Sequence, residues 1–177
     1  MAKSAFIVHV PEAEPCVGAL RERFDASVKL GVPAHITVLV PFMSPELITE
    51  PVLQRIVQAL GQVPAFTFTL AEVQRFPTTA YLVPEPAAPF IALTQSLVRS
   101  FPEYPPFGGE FESIIPHLTV AHGSASEAEH AAVELTAAVQ THGPITSSCA
   151  SVALIENSSG LWRRMHAFAL PRARHGD

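Results

Sequence analysis

The chain has 177 residues, of which 48% are hydrophobic, and carries a formal net charge of −5; its pI is near 5.9 and its mean hydropathy is +0.27. That is enough apolar sequence for one large domain or two small lobes with a real core. It is too little positive charge for a broad polyanion-binding surface, although a small local phosphate pocket stays open.

The N-terminus, Met1 to Val10, has one lysine and a short alternating apolar run, without the length or cleavage site of a secretory leader. The uncharged run Leu30 to Pro45 is broken by Pro33, His35, Thr37 and Pro41, too short and polar to span a bilayer. A cytoplasmic protein is the expectation. Cys16 and Cys149 are then expected as buried thiols, not a disulfide.

In chain order, Ala5 to Val10 reads as a strand and Glu14 to Phe24 as a short helix. A loop through Gly31 and Pro33 leads to a strand over Ala34 to Val40, which Pro41 is expected to end. Ser44-Pro45-Glu46 reads as a helix start, with a capping serine and a proline in the first turn. That helix runs to about Leu60 and stops at Gly61. Phe66 to Phe76 is a long strand, turned by Pro77-Thr78-Thr79 into another over Ala80 to Val83.

The plan then restarts. Val83-Pro84-Glu85 echoes Val10-Pro11-Glu12, and a helix follows from about Ala88 to Phe101. A loop from Pro102 to Gly109 leads to a strand over Ile114 to Ala121. Ser126 to Glu129 reads as a capping box opening a helix that ends at His142-Gly143-Pro144. Strands are predicted over Thr146 to Ile155 and Leu161 to Leu170, with the turn Asn157-Ser158-Ser159-Gly160 between them.

One pattern organises all of this. His35-Ile36-Thr37-Val38 and His117-Leu118-Thr119-Val120 share the order histidine, apolar, threonine, apolar. On a strand, alternate side chains point to opposite faces, so each histidine shares a face with its threonine. His35 and His117, Thr37 and Thr119, Ser44 and Ser126, and Gly61 and Gly143 are each separated by the same offset of 82 residues. A motif that recurs together with its helix start and helix stop reads as a duplication. The predicted fold is α+β and bilobal: two pseudo-symmetric β-α-β-α-β lobes in one 177-residue domain, the first to about residue 78 and the second from 79, with antiparallel sheets around a central cleft. The last strand is free to pair across the lobes.

Imidazole can donate or accept a proton near neutral pH, so two symmetry-related histidines can act as base and acid on opposite sides of one phosphorus. Threonine hydroxyls on the same face can donate to the non-bridging oxygens. This set suffices to open a cyclic phosphodiester without a metal. No histidine pair has the i, i+4 helical spacing of a zinc protease, and no C-x-x-C occurs. No G-x-x-x-x-G-K-[ST] or G-x-G-x-x-G sequence is present, so ATP-driven ligation has no support.

The paired H-x-T-x motif, in two lobes of a chain this size, resembles the 2H phosphoesterase superfamily, the LigT-like or 2′-5′ RNA ligase family. The likeness covers nearly the whole chain, including Val32 to Phe42, the second motif with Ala121-His122-Gly123, and the flanking helices. It implies a bilobal fold with the motifs on central strands and metal-independent action on 2′,3′-cyclic phosphate ends of RNA or related nucleotides. It implies His35 and His117 as the acid–base pair, and Thr37 and Thr119 as phosphate ligands. Several members carry arginine five positions after the second histidine; here that position is His122, a hydrogen-bond donor to phosphate when protonated or a plain strand-end histidine.

The expected partner is an RNA 2′,3′-cyclic phosphate end or a small cyclic nucleotide, bound by a monomer with no cofactor. The rival reading is a non-catalytic nucleotide- or RNA-end-binding module with the same pocket. Tyr81, Trp162 and the Tyr104 to Phe107 loop are candidates for stacking a base or for ordinary packing. Arg75, Arg163 and Arg164 are candidate phosphate contacts or simple strand charges. His9, His130, His142, His166 and His175 read as structural or surface residues.

Overall fold

The computed structural model describes residues 1–174; His175 lies outside them. The order is β1 (Ser4–His9), α1 (Glu14–Phe24), β2 (His35–Phe42), α2 (Glu50–Leu60), β3 (Phe66–Phe76), β4 (Thr79–Glu85), α3 (Ala88–Ser100), β5 (Leu118–His122), α4 (Ala125–His142), β6 (Ile145–Cys149), β7 (Ser151–Glu156) and β8 (Arg163–Ala169). The strands form one antiparallel sheet, β6-β3-β4-β5-β2-β1-β7-β8. The fold is the expected α+β class, with the two motif strands β2 and β5 side by side at the middle of the sheet.

The two halves of that sheet are not the two halves of the sequence. The first repeat supplies β1 and β2 to one half, but its third strand, β3, lies in the other half beside β4. Conversely β7, from the second repeat, lies beside β1. The boundary expected at residues 78/79 falls where the short link between β3 and β4 ends. The cause is local: only Pro77 and Thr78 join β3 to β4, so the two must form a hairpin.

The segment read as one strand over Thr146 to Ile155 is two strands parted by Ala150. β6 ends one edge of the sheet and β7 lies in the opposite half, so the sheet must curl until its ends meet. The seam is closed by Leu170 N–H to the Ala150 carbonyl (2.9 Å) and Ala65 N–H to the Pro171 carbonyl (2.7 Å). Pro41 does not end β2, which continues to Phe42. Past Ile36, β2 keeps β1 as its ladder partner and makes no further pair with β5, so an imino acid is tolerated there.

Two helix starts also differ. Ser44 precedes only a 3₁₀ turn, and α2 begins at Glu50 with a proline in its first turn. Ser126 lies inside α4; the capping box is formed by Ser124 and Glu127. The stops at Gly61 and Gly143 are as expected. The two-serine match at offset 82 is thus a coincidence of sequence, while the match of motifs and stops is structural. The strand equivalence of β1 and β4 is also one residue from the Val-Pro-Glu echo: Val8 pairs with Ile36 as Leu82 pairs with Leu118, an offset of 74.

Among the described residues, α1, α2, α3 and α4 all contribute to one core against the sheet. α1 and α4 cover the β3-β4-β5 side and α3 covers β2, with α2 against α3. The spacing of Ala128, Ala131, Leu135 and Val139 in α4 presents a continuous apolar stripe to that face. The main core between helices and sheet holds Phe6, Ile36, Leu39, Phe68, Leu82, Leu93, Leu118 and Val120. The opposite face carries a small cluster of Ala5, Ile7, Val32 and Ile155, against which Val40, Ala153 and Trp162 pack. Cys16 and Cys149 are free thiols, and burial pushes Cys149 up to about 12. Among the described residues, no helix is long and apolar enough to cross a membrane.

Candidate active site

β2 and β5 meet through one antiparallel pair, Ile36 opposite Leu118, and both side chains are fully buried beneath the helices. Alternation then sends the residues on either side of each to the open face. His35 falls opposite Thr119, and Thr37 opposite His117. Two imidazoles and two hydroxyls thus share one patch of sheet, with cross-strand neighbours roughly 5 Å apart. His35 opens β2, whereas His117 sits just ahead of β5, not inside a strand running from Ile114 as the sequence pattern suggests.

The imidazoles are held alike. His35 Nδ1–H donates to the Pro33 carbonyl at 2.8 Å, and His117 Nδ1–H donates to the Ile115 carbonyl at 2.6 Å. A carbonyl can only accept, so Nδ1 carries the proton in both rings and each Nε2 is left free for chemistry. Burial lowers both pKa values; that of His35 falls to about 4, with the Arg21 guanidinium and His117 adding to the effect. Neither threonine hydroxyl has a hydrogen-bond partner among the described residues.

The loop that delivers His35 is braced by groups that sequence reasoning overlooked. Arg21, at the end of α1, is almost fully buried and bonds Asp25, Ser27 and the Val32 carbonyl. The Glu14 carboxylate accepts the Ala34 N–H at 2.7 Å, one residue before His35. The i, i+4 spacing of Arg21 and Asp25 was a visible signal, but a surface helix pair shows the same spacing.

Each motif strand then bulges at its fourth motif residue. The β1 register slips between Phe6–Leu39 and Ile7–Thr37, and the β4 register slips between Ala80–Ala121 and Tyr81–Thr119. The extra residues are Val38 and Val120, again 82 apart. A bulge reverses the alternation beyond it, so Leu39 and Ala121 turn into the core and Val40 and His122 turn to the open face. His122 there lies beside Thr79, Nδ1 to Oγ1 2.9 Å, on the face that carries His117 and Thr119. Its symmetry mate, Val40, packs on the Ile7–Ile155 cluster. The paired apolar residues Val38-Leu39 and Val120-Ala121, which interrupt the alternation, were the readable sign.

The surroundings of the two histidines differ. His117 packs against Phe76 and Tyr81, with both ring centroids at 5.2 Å. His35 pairs across the strands with exposed His9. Two cavities flank the patch. A slot of about 490 Å³ runs between β2 and residues 111–117 and includes Thr37 and His117 in its lining. A second, of about 580 Å³, lies over β1 and β7 and takes in His9, Trp162 and Arg164.

Of the other residues singled out, Tyr104 packs on Phe42, and Arg163 lies 3.8 Å from Glu156. His130 bonds Glu134 on α4, and His142 bonds the Gly143 carbonyl. Arg75 and His166 lie on β3 and β8, outside both cavities. Among the described residues, no group of three or more His, Cys, Asp or Glu side chains is arranged to hold a metal ion.

Solved structures share this architecture. A crystal structure of a phosphoesterase superposes with a TM-score of 0.58 at 18% identity, covering 97% of this chain and all of that one. LigT of Escherichia coli superposes in its apo form with a TM-score of 0.59 at 17% identity, and in its complex with 3′-AMP with 0.58 at 15%; each covers 96% of this chain and 98% of LigT. At these identities the likeness shows the fold. No curated protein sequence matches the chain. The sequence model of the 2′-5′ RNA ligase superfamily, however, matches residues 9–161, a span that begins on β1 and takes in both motif strands. By that match the chain belongs to the 2′-5′ RNA ligase superfamily.

Proposed function

We propose that the protein is a metal-independent phosphodiesterase that opens 2′,3′-cyclic phosphates on RNA ends or nucleotides. The observation that carries this reading is the pair of free Nε2 atoms beside two unpaired threonine hydroxyls on one patch of sheet. LigT has been crystallised with 3′-AMP, a nucleoside monophosphate of the kind such a reaction releases, which supports a nucleotide ligand.

Burial above all keeps His35 neutral down to about pH 4, so it is the base. It takes a proton from water on Nε2 as the water oxygen bonds to phosphorus. His117 is the acid. Bound phosphate raises its pKa, and its protonated Nε2 gives a proton to the ribose oxygen as the P–O bond breaks. Solvent then removes the proton from His35 and restores that on His117. Thr37 and Thr119, and secondarily His122, donate to the non-bridging oxygens.

The test is hydrolysis of an oligonucleotide ending in a 2′,3′-cyclic phosphate, in EDTA, by wild type, His35→Ala and His117→Ala. Product from wild type and a loss of at least about a hundredfold in each variant is expected. Activity surviving both substitutions overturns the mechanism. Tight nucleotide binding without product from wild type identifies a binding module instead.

A further inference from the structure

The slot beside Thr37 and His117 contains more than the reaction needs. Its floor is α3, from Phe90 and Thr94 on to Arg99, and its far wall is the segment from Pro106 to Pro116. Thr94 donates to the Val38 carbonyl at 2.7 Å, so the floor is tied to the bulged residue of β2, directly after Thr37. The two strands pair only at Ile36 and Leu118, and the slot occupies the gap that this leaves. Its walls are chiefly apolar, including Phe90, Val98 and Phe107. Among the described residues, Arg99, one helical turn beyond Gln95 on α3, is the only lysine or arginine in the lining.

Arg99 is exposed and has no ion-pair partner among the described residues. An apolar slot with one free guanidinium suits a ligand whose body is a nucleoside and whose end is an anion. The second cavity does not compete for this role, because none of His35, Thr37, His117 or Thr119 lines it. A substrate held by Thr37 and His117 already has one end in the slot.

We infer that the slot reads a second phosphoryl group of the substrate, with Arg99 as its ligand. The substrate class is therefore a nucleoside cyclic phosphate that also bears a 5′-phosphoryl group. This rests on the reading of Thr37 and His117 as residues that hold the reacting phosphate. The 5′-phosphoryl group can come from a free nucleotide or from the last linkage of an RNA end. Among the described residues, Glu112 on the covering segment is the only carboxylate lining the slot, and it limits how much negative charge the slot tolerates.

The experiment measures binding of 3′-AMP, adenosine 3′,5′-bisphosphate and the dinucleotide ApAp by calorimetry, alongside turnover of 2′,3′-cyclic AMP with and without a 5′-phosphate. Wild type binds the bisphosphate at least about tenfold more tightly than 3′-AMP, the gain expected of one charge-assisted contact. The ratio collapses towards one in Arg99→Ala, is partly kept in Arg99→Lys, and grows in Glu112→Gln. Preference kept by ApAp assigns the contact to an RNA end; preference lost on esterification assigns it to a free nucleotide. Equal binding of 3′-AMP and the bisphosphate by wild type, or an unchanged ratio in Arg99→Ala, overturns the inference even if 2′,3′-cyclic AMP is turned over. A tenfold ratio without turnover leaves the second-phosphate contact standing and overturns the proposed hydrolysis.

Discussion

His35 pays for its position in acid. Its ring is ordinarily half protonated at about pH 6.5, but burial and the nearby Arg21 hold it neutral to about 4. The unfolded chain therefore binds a proton as pH falls through 6.5, and the folded chain does not until about 4. Between those values the unfolded state carries more protons, so stability falls with falling pH; above 6.5 this group contributes no slope, and below 4 the loss is complete. The whole loss amounts to about 3 kcal/mol at 1.4 kcal/mol per pKa unit. Urea unfolding of wild type and His35→Gln from pH 7 to 4 measures it. The wild type should lose more stability than the variant over that window, and parallel curves would contradict the burial of a neutral ring. The motif itself was legible because it is local: alternation in His-Ile-Thr-Val suffices to put His35 and Thr37 on one face. What alternation could not reveal is the field around the ring, because Arg21 comes from a helix fourteen residues earlier.

At the scale of the element, the turn between α1 and β2 does more than connect. Arg21 and Asp25 are both buried, and Arg21 also holds the Val32 carbonyl. Arg21→Met leaves the Asp25 carboxylate without its partner, a change that costs about 3–5 kcal/mol when a buried charge is stranded. Adding Asp25→Asn removes that charge and should recover part of the loss, a comparison made by urea unfolding. A fall of under about 1 kcal/mol in Arg21→Met would mean that water reaches Asp25. The same variant should lower kcat at saturating substrate, because the loop it loosens ends at His35. The bulges belong to this scale as well. Two adjacent apolar residues in each motif strand marked them, yet the consequence, a reversal of face that brings His122 to the side of Thr119, needs the partner strand's register to be known. His122→Ala is expected to cost less than about tenfold in kcat/KM, well short of the loss at His117.

For the whole molecule, the repeat was readable and its interleaving was not. Motif spacing and helix stops recur within each repeat, so they survive in the local pattern. Which strand pairs with which is a long-range choice, and the sequence carries only one strong hint of it, the two-residue link between β3 and β4. That link pulls β3 out of the half that contains β1 and β2, and β7 fills the place beside β1. A cut after residue 78 therefore strips fragment 1–78 of both partners of β3, which are β4 and β6. Fragment 79–177 keeps β4 with β5 and β7 with β8 but loses β3 and β1. Each fragment exposes the apolar face of an incomplete core, and neither holds both histidines. Expressed separately, each should lack a cooperative thermal transition by circular dichroism. Mixed during refolding, they should recover the transition and, with it, hydrolysis of the cyclic phosphate. If fragment 1–78 melted cooperatively by itself, β3 would be pairing with strands of its own repeat, and the placement of β3 in one half of the sheet and β7 in the other would be wrong.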